Sequence, residues 1–350
     1  MTDEQLQQLA DKLRDWAKDL GFQQLGITDT HLEITEQRLK AWLEKGYQGS
    51  MQWMAKHGDK RTRPDLLEPG TFRVISVRMD YKPETDLIEN LQDSERAYIS
   101  RYALGRDYHK MMRKRLATLA ERLRAEVKDS NLARPFVDSA PVMEKPLAAK
   151  AGIGWQGKHT LIINKDAGSY FFLGEIYTDI ALPLDAPASD HCGTCTACLD
   201  VCPTGAIIAP YQLDARRCLT YQTVENKGPI DPELRPLMGN RVFGCDDCQV
   251  FCPWNKFSQV SEIDDFKPRH GLDQARLVEL FLWTEGEFLK RTEGSAIRRT
   301  GFLGWLRNIA VGLGNGPASK EAIAALHQRK GLSDLVDEHI DWALARLEKN

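Results

Sequence analysis

Length, composition and charge describe an ordinary globular protein. The 350 residues suffice for two or three modest domains, and an apolar fraction of 42% can fill a sizeable core. These values exclude a largely disordered chain. A formal net charge of -3 gives no general attraction to nucleic acid or anionic lipid, so either partner would have to be bound by a local patch.

The start of the chain and its cysteine distribution indicate a compartment. Residues 1–5 are polar and acidic, without the features of a secretory signal or a twin-arginine leader, and no apolar run is long enough to span a bilayer. All eight cysteines lie between Cys192 and Cys252, which in a chain without an export signal favours metal binding over disulfides. We therefore expect a cytoplasmic monomer that does not contact membranes.

Apolar spacing in the first half of the chain alternates between helical and strand-like segments. Residues 1–183 are therefore predicted to form one α/β domain. Its first predicted helices cover 4–20, 36–45 and 108–127, and its first predicted strands cover 22–27 and 72–77.

The end of this domain is predicted to contain a strand, a helix and a hairpin. A strand over 134–138 places Asp138 at its end, and a helix over 142–151 follows. Residues 160–164 and 170–180 alternate in polarity and carry β-branched and aromatic side chains, so we predict that they pair as a hairpin.

A linker at 182–187 separates this domain from the cysteine-rich segment. The second domain is predicted to cover 184–258. Beyond it, residues 259–350 return to helical spacing, with predicted helices over 277–289, 297–313 and 332–347.

The cysteine spacing is the strongest functional signal in the chain. Cys192-x2-Cys195-x2-Cys198-x3-Cys202-Pro203 is the run of bacterial two-cluster ferredoxins, in which three thiolates hold one [4Fe–4S] cluster and the fourth reaches the other. A structural zinc site is the alternative, but zinc ribbons seldom show four cysteines in this rhythm.

A second, shorter run follows at Cys245-x2-Cys248-x3-Cys252-Pro253. Val242 stands where its first cysteine is expected, and Cys218 is the obvious replacement. Such a module passes single electrons, so it needs an acceptor and an external donor of the flavodoxin or ferredoxin type. The predicted ligand sets are Cys192, Cys195, Cys198 and Cys252 for one cluster and Cys202, Cys218, Cys245 and Cys248 for the other.

A glycine-rich segment at 152–158 matches parts of two nucleotide-binding motifs. GxGxxGK fits the dinucleotide fingerprint and nearly fits a P-loop, but both motifs need a strand before the glycines and a helix after them, and here the predicted order is reversed. Two interpretations stay open. The backbone either approaches a bulky ligand gripped by Lys158, His159 and Thr160, or forms an ordinary turn between helix and strand.

Five longer motifs accompany the cysteine pattern and its displaced Cys218. They are GFQQLGIT at 21–28, RYALGRDYH at 101–109, PFVDSAP at 135–141, AGIGWQGKH at 151–159 and SAIRR at 295–299. On these motifs the chain resembles the epoxyqueuosine reductase family over nearly its full length.

The resemblance implies an α+β multidomain protein. Its parts would be an N-terminal α/β cobalamin-binding domain akin to that of corrinoid reductive dehalogenases, a two-[4Fe–4S] ferredoxin module, and a HEAT-like helical C-terminal region. It also implies the activity: cobalamin, reduced by the two clusters, drives removal of the epoxide oxygen of epoxyqueuosine at the wobble position of tRNA. The alternatives are a reductive dehalogenase-like enzyme and a ferredoxin-type electron carrier.

The resemblance also assigns residues. Asp138 matches the proposed general acid of the family, and beside an apolar corrin its pKa is expected to rise toward the working pH. The same aspartate could instead cap the following helix. Asp107-Tyr108-His109 begins like a cobalt-ligand motif, but Met112 takes its glycine position, which argues against His109 as a ligand. Asp138 itself is also an implied cobalamin contact. The others are Arg61, Arg101, Lys158, His159, Thr160, Asn164 and Ser169.

Contact with tRNA phosphates requires local clusters of lysine and arginine. A solvated helix face is the alternative for each cluster. The candidates are Lys110, Arg113, Lys114 and Arg115 on one helix, Arg298 and Arg299, and Arg307.

Overall fold

The computed structural model describes residues 1–85, 87–127 and 132–349. Its centre is a four-stranded sheet in which every neighbouring pair of strands is antiparallel. Every residue of Phe171–Thr178 is buried, because this strand has a neighbour on either side and helices on both faces. In spatial order the strands are Gln24–Thr28, Arg73–Asp80, Phe171–Thr178 and Ala133–Val137.

Helices cover both faces of this sheet. Asp3–Asp19 and Tyr108–Glu126 pack their apolar side chains on one face. Glu144–Lys150 covers the other face, where its Leu147 packs with Tyr177 of the central strand. Successive residues along each strand point to opposite faces of the sheet and therefore belong to different apolar cores. The helices and strands predicted for this region up to residue 151 are confirmed to within a few residues.

The edge strand and one helix bring the candidate acid into place. Asp138 follows the strand Ala133–Val137, as predicted. The helix Tyr108–Glu126 packs beside this strand, and its N-cap Asp107 accepts a hydrogen bond from the backbone amide of His109. The first turn of the helix thus lies next to the end of the strand.

The predicted hairpin is wrong. Ile162–Ile163 pairs with Trp155–Gln156, and only a bridge between Asn164 and Gly168 closes the turn that follows. The strand Phe171–Thr178 instead enters the main sheet, where it pairs with Arg73–Asp80 on one side and with Ala133–Val137 on the other. The alternating polarity of the sequence located the strands but did not show which strand each one pairs with.

The C-terminal helices pack around a core that includes earlier parts of the chain. Strand Arg241–Phe243 pairs in parallel with Tyr98–Ile99, and Phe243 lies in one cluster with Trp305. The cysteine-rich segment therefore packs against both the domain that precedes it and the region that follows it in the chain.

The predicted helix over 277–289 is interrupted. It forms two helices, Leu277–Phe281 and Glu285–Arg291. The break occurs at Thr284, whose side chain accepts a hydrogen bond from the amide of Glu287 in a capping box. The prediction rested on apolar spacing alone, which does not show this helix start.

Short elements complete the chain. Ile207–Ala209 pairs with Gln212–Leu213. Within the described ranges, no helix is both long and apolar enough to cross a membrane. The remaining α-helices are Glu33–Glu44, Pro64–Leu67, Leu87–Gln92, Arg101–Leu104, Ala197–Asp200, Asp247–Val250, Phe302–Asn315, Lys320–Arg329 and Asp334–Leu347.

Candidate active site

A large cavity lies between the central sheet, the cysteine-rich segment and residues 294–299. Its volume is about 780 Å³. Phe171, Phe172 and Leu173 give it an apolar wall where the central strand begins. Its polar and ionisable lining includes Tyr102, Asp107, Tyr108, His109, Asp138, Glu144, Lys145, His159, Thr160, Ser169, Arg298 and Arg299.

The eight cysteines divide between this cavity and a second one of about 300 Å³. The division has the same members as the two ligand sets inferred from spacing. Cys195 is exposed, so the second cavity lies near the surface. Cys202, Cys218, Cys245 and Cys248 line the large cavity, and Cys192, Cys195, Cys198 and Cys252 line the second.

N–H groups of the fold are directed at two of the sulfur atoms. The indole Nε1 of Trp155 lies 3.4 Å from Sγ of Cys192, and the amide of Ala206 lies 3.2 Å from Sγ of Cys202. Each of the two cysteine sets therefore contains one sulfur that accepts a hydrogen bond from the fold.

Asp138 is held by two side chains from the helix opposite. Tyr108 donates its hydroxyl proton to Oδ2 of Asp138 at 2.6 Å, and Nε2 of His109 lies 3.2 Å from the same oxygen. Burial alone would raise the pKa of Asp138, but the contacts with His109 and Tyr108 lower it below its ordinary value. The expectation of a raised pKa concerned Asp138 beside a corrin and stays a prediction; it did not include the charged partner His109.

His109 lies between two carboxylates. Its Nδ1 is 2.6 Å from Oδ1 of Asp107, and its Nε2 faces Asp138. Burial lowers the pKa of His109, yet the two aspartates outweigh burial and raise that pKa to about 9. At neutral pH the imidazole is thus protonated, and each of its two nitrogens contacts a carboxylate. This agrees with the motif argument against His109 as a cobalt ligand.

A second acid lines the cavity and was missed by sequence reasoning. Burial and the nearby charge of Asp138 raise the pKa of Glu144 to about 8, so this carboxyl is mostly protonated at neutral pH. Behind it, burial and the proximity of Glu144 raise the pKa of the fully buried Glu175 well above its ordinary value. No sequence signal marks these glutamates, because their acidity depends on which residues surround them.

The implied cobalamin contacts do not all lie in one place. His159, Thr160 and Ser169 line the large cavity together with Asp138. Ser169 also bonds to the cysteine-rich segment, since its Oγ accepts from Nε2 of Gln249 at 3.0 Å. Three of the implied contacts and the acid therefore converge on one cavity.

The other four implied contacts lie elsewhere among the described residues. Lys158 donates to the carbonyl oxygens of Gly193 and Cys195 at 2.7 and 2.8 Å, within the loop of the second cavity. Arg101 bonds to the hydroxyl of Tyr170 in a separate depression. The remaining two bind backbone carbonyls: Arg61 those of Trp53 and Met54, and Asn164 that of Ile153.

His159 is the residue whose geometry most clearly calls for a ligand. It is 4% exposed, and its Nδ1 accepts a hydrogen bond from the amide of Leu161 at 3.1 Å, so its proton lies on Nε2. That Nε2 has no partner among the described residues. Burial lowers the pKa of His159 to about 4, which keeps the ring neutral. It is therefore a buried N–H donor on the wall shared by the two cavities.

The glycine segment is a tightly packed turn. A side chain at Gly154 would lie 2.3 Å from the carbonyl oxygen of Ile163, and one at Gly157 would meet Ile163 and His159. The helix Glu144–Lys150 precedes the glycines and the short strand Ile162–Ile163 follows them, as predicted, so the nucleotide motifs lack their structural context. The glycines accommodate the chain itself, while Thr160 just beyond them has a φ of 70°, which is strained for a β-branched residue.

The candidate RNA contacts separate into surface and interior residues. Arg298 and Arg299 are exposed and line the large cavity, so they mark its opening. Lys110, Arg113 and Lys114 are exposed on the helix that carries Tyr108 and His109.

Two other candidates donate hydrogen bonds to backbone carbonyl oxygens of the protein itself. Arg115 is half-buried and donates to the carbonyl of Leu20 at 2.8 Å. Arg307 is 1% exposed, and its guanidinium donates to backbone carbonyls in the segment 222–228. The prediction that Arg307 contacts RNA is wrong, because a buried guanidinium cannot reach a phosphate.

Comparison with known proteins identifies the family. A family model described as epoxyqueuosine reductase QueG, DUF1730, matches residues 61–139, and one described as a 4Fe-4S double cluster binding domain matches residues 191–255. An epoxyqueuosine reductase of Pseudomonas aeruginosa is 59% identical over 97% of this chain and 94% of its own length. The chain belongs to the epoxyqueuosine reductase family. The Escherichia coli epoxyqueuosine reductase is 57% identical over 97% of this chain and 90% of its own.

Solved epoxyqueuosine reductases share the fold. One that was crystallised with a tRNA-Tyr epoxyqueuosine-modified tRNA stem loop has a TM-score of 0.89 at 28% identity and covers 97% of this chain and 90% of that one. The Bacillus subtilis epoxyqueuosine reductase, with a catalytic aspartate loop swung out of its active site, has a TM-score of 0.88 at 28% identity. The matches favour the reductase over the electron-carrier and dehalogenase alternatives, and the cluster model favours iron–sulfur over zinc.

Proposed function

We propose that this chain reduces the epoxide of epoxyqueuosine in tRNA to the alkene of queuosine. An epoxide becomes an alkene and water by taking up two electrons and two protons, so the site must deliver both. The observation that carries the proposal is one cavity with four cysteines on one wall and the Asp138–His109 pair on another. Electrons and protons can thus reach the same space from different sides.

The large cavity is proposed to hold cobalamin. Its residues fit a corrin, because an apolar wall at 171–173 suits the ring faces and the unpartnered Nε2–H of His159 suits a carbonyl of the ring's amide side chains. The strained Thr160 and Ser169 lie on the same surface. When bound, cobalamin supplies a strongly reducing cobalt centre for opening the epoxide.

The remaining implied contacts are proposed to act indirectly. Lys158 fixes the loop that carries Cys195, and Asn164 fixes the turn before Ser169. Arg101 holds Tyr170, which directly precedes the apolar wall. These residues would thus shape the cofactor site from behind.

The two cysteine sets are proposed to hold [4Fe–4S] clusters that act in series. The set with the exposed Cys195 would accept electrons from an external carrier of the flavodoxin or ferredoxin type. The set that includes Cys218 and Cys248 would pass them into the large cavity, whose wall it forms. This order places the entry of electrons at the surface and their use in the interior.

Basic residues around the cavity are proposed to bind the tRNA backbone. Lys110, Arg113 and Lys114 follow the cavity residue His109 along one helix, and Arg298 and Arg299 stand at the opening. An anticodon loop inserted between them would place phosphates near both groups. Asp138, at the end of its strand, would then donate a proton to the epoxide oxygen.

The direct test is anaerobic turnover with a defined substrate. The loaded protein, a reductant and tRNA carrying epoxyqueuosine should yield a nucleoside lighter by one oxygen atom, measured by mass spectrometry after digestion. A halogenated phenol in a parallel reaction should remain unchanged. Conversion of the phenol without conversion of the tRNA would overturn the proposal.

A further inference from the structure

The proposed reaction needs an acid, but the aspartate assigned to that role is held as an anion. Asp138 receives hydrogen bonds from Tyr108 and from His109 on a single oxygen, Oδ2. Both contacts favour the charged carboxylate, and the pKa of Asp138 is lowered. A carboxylate in this setting has to be protonated before each proton it donates.

Of the two groups that donate to that oxygen, His109 is the more acidic, because burial raises the pKa of Tyr108 well above its ordinary value. Its Nε2 lies 3.2 Å from Oδ2 of Asp138, while its Nδ1 is fixed by Asp107 at 2.6 Å. The ring also stacks on Tyr108 with the centroids 4.2 Å apart. The imidazole is thus oriented so that one nitrogen always faces Asp107 and the other always faces Asp138.

We propose that His109 is a positioning residue that acts through Asp138 by returning a proton to it. Asp107 holds the His109 ring in the orientation that this transfer requires. This inference rests on the proposed function. The proton on Nε2 moves to Oδ2, Asp138 gives it to the oxygen of the opening epoxide, and the neutral ring takes up another proton from solvent. Two such cycles supply the two protons that leave with the oxygen as water, and the electron pair comes from the clusters.

The surroundings of the ring suit this transfer. The His109 side chain is 22% exposed and can exchange protons with solvent, while the Asp138 side chain is 42% exposed on the cavity wall. The charged and titratable groups around the pair include Tyr102, Asp107, Tyr108, Glu144 and Arg299. Glu144 is mostly neutral at pH 7 and adds little charge, so the two aspartates dominate the proton affinity of the ring.

The first experiment follows the imidazole itself in the full chain that holds both clusters, before cobalamin is added. Nuclear magnetic resonance should show His109 titrating near pH 9 in the native chain and closer to its ordinary value in Asp138→Asn and in Asp107→Asn. An ordinary pKa in the native chain would overturn the inference without touching the proposed function.

The second experiment measures single turnovers of the loaded protein against pH. His109→Gln keeps a hydrogen-bond donor but cannot relay a proton, so its rate should fall about 10²-fold and lose its decline at alkaline pH. Asp107→Asn should shift that decline to lower pH, which a merely structural role would not do. The matched control is His327→Gln, on the exposed face of Lys320–Arg329.

The outcomes separate the two proposals. Native rate and an unchanged pH profile in His109→Gln would exclude the relay. A native protein that converts no epoxyqueuosine would instead count against the proposed function. If His109→Gln does not fold, the imidazole titration and Asp107→Asn still decide the question.

Discussion

Nε2 of His109 and Oδ2 of Asp138 lie 3.2 Å apart, although 28 residues separate them in the chain. The helix Tyr108–Glu126 brings its first turn to the end of the strand Ala133–Val137, and this packing creates the pair. The contact sets the charge of both groups, since it lowers the pKa of the aspartate and raises that of the histidine. The protonation state of Asp138 therefore depends on His109, and that of His109 depends on Asp138.

Asp138→Asn should abolish most turnover. The amide cannot donate an acidic proton, so we expect a loss on the order of 10²- to 10⁴-fold in single-turnover rate. The iron content should stay at the native level, because Asp138 contacts neither cysteine set, and cobalamin should be retained, because asparagine has nearly the same size and shape as aspartate. Asp15→Asn, on the exposed surface of the first helix, is the matched control. Near-native turnover in Asp138→Asn would remove this residue from the acid role.

Cys218→Ala should damage one cluster only. Its thiol lines the large cavity with three other cysteines, while the second set lines a different cavity. Iron analysis should therefore fall from about eight to about four atoms per chain. Cys195→Ala should give a similar loss from the other site, with a different electron paramagnetic resonance spectrum. Eight iron atoms persisting in Cys218→Ala would contradict the assignment.

Arg307→Met should destabilise the fold without altering RNA binding in the folded protein. The buried guanidinium binds the carbonyls of Gln222, Asn226 and Gly228, which would lose their partner. The carbonyl of Gln222 is buried and those of Asn226 and Gly228 are partly buried, so water can replace part of the lost bonding and the free energy of unfolding should fall by roughly 1–3 kcal/mol. Denaturant titration measures this change.

Arg298→Gln supplies the opposite pattern. Arg298 is exposed at the cavity opening, so its loss should leave stability nearly unchanged and weaken tRNA binding. The slope of log affinity against log salt concentration should decrease by about one. An unchanged slope in Arg298→Gln, or a reduced slope in Arg307→Met, would reverse these assignments.

The His109 network should make stability depend on pH in a defined direction. Because folding raises the pKa of His109 to about 9, its contribution is complete below its ordinary value and is lost as pH rises through about 9. The pKa values of Asp107 and Asp138 are lowered, so their contributions are present above their ordinary values and are lost as pH falls. The melting temperature of the native chain should thus drop more between pH 7 and pH 10 than that of His109→Gln. Parallel curves would show that the ring is not protonated in the fold.

Local patterns predicted the parts of the molecule that depend on local sequence. Apolar spacing located the strand that ends at Asp138, and cysteine spacing grouped thiols that line common cavities. Apolar spacing depends on neighbours within a few residues. The cysteine grouping joins two distant runs, and it could be predicted because the ligands of two-cluster ferredoxins cross between their cysteine runs.

Long-range packing decided what the sequence did not predict. The partner of the strand Phe171–Thr178, the burial of Arg307 and the contact of His109 with Asp138 all depend on segments distant in the chain. Residue type was also a poor guide to role. Lys158 and Arg61 have the chemistry to hold a ligand, yet here they bind backbone carbonyls of the fold.

The central claim is that two iron–sulfur clusters adjoin a cavity that holds a corrin. The most direct measurement is the visible absorption spectrum of anaerobically purified protein, recorded before and after one equivalent of cobalamin is added and excess is removed by gel filtration. We expect broad cluster absorption in the first spectrum and corrin bands of about one cobalamin per chain in the second. Protein that lacks the cluster absorption, or a corrin that elutes apart from the chain, would contradict the account.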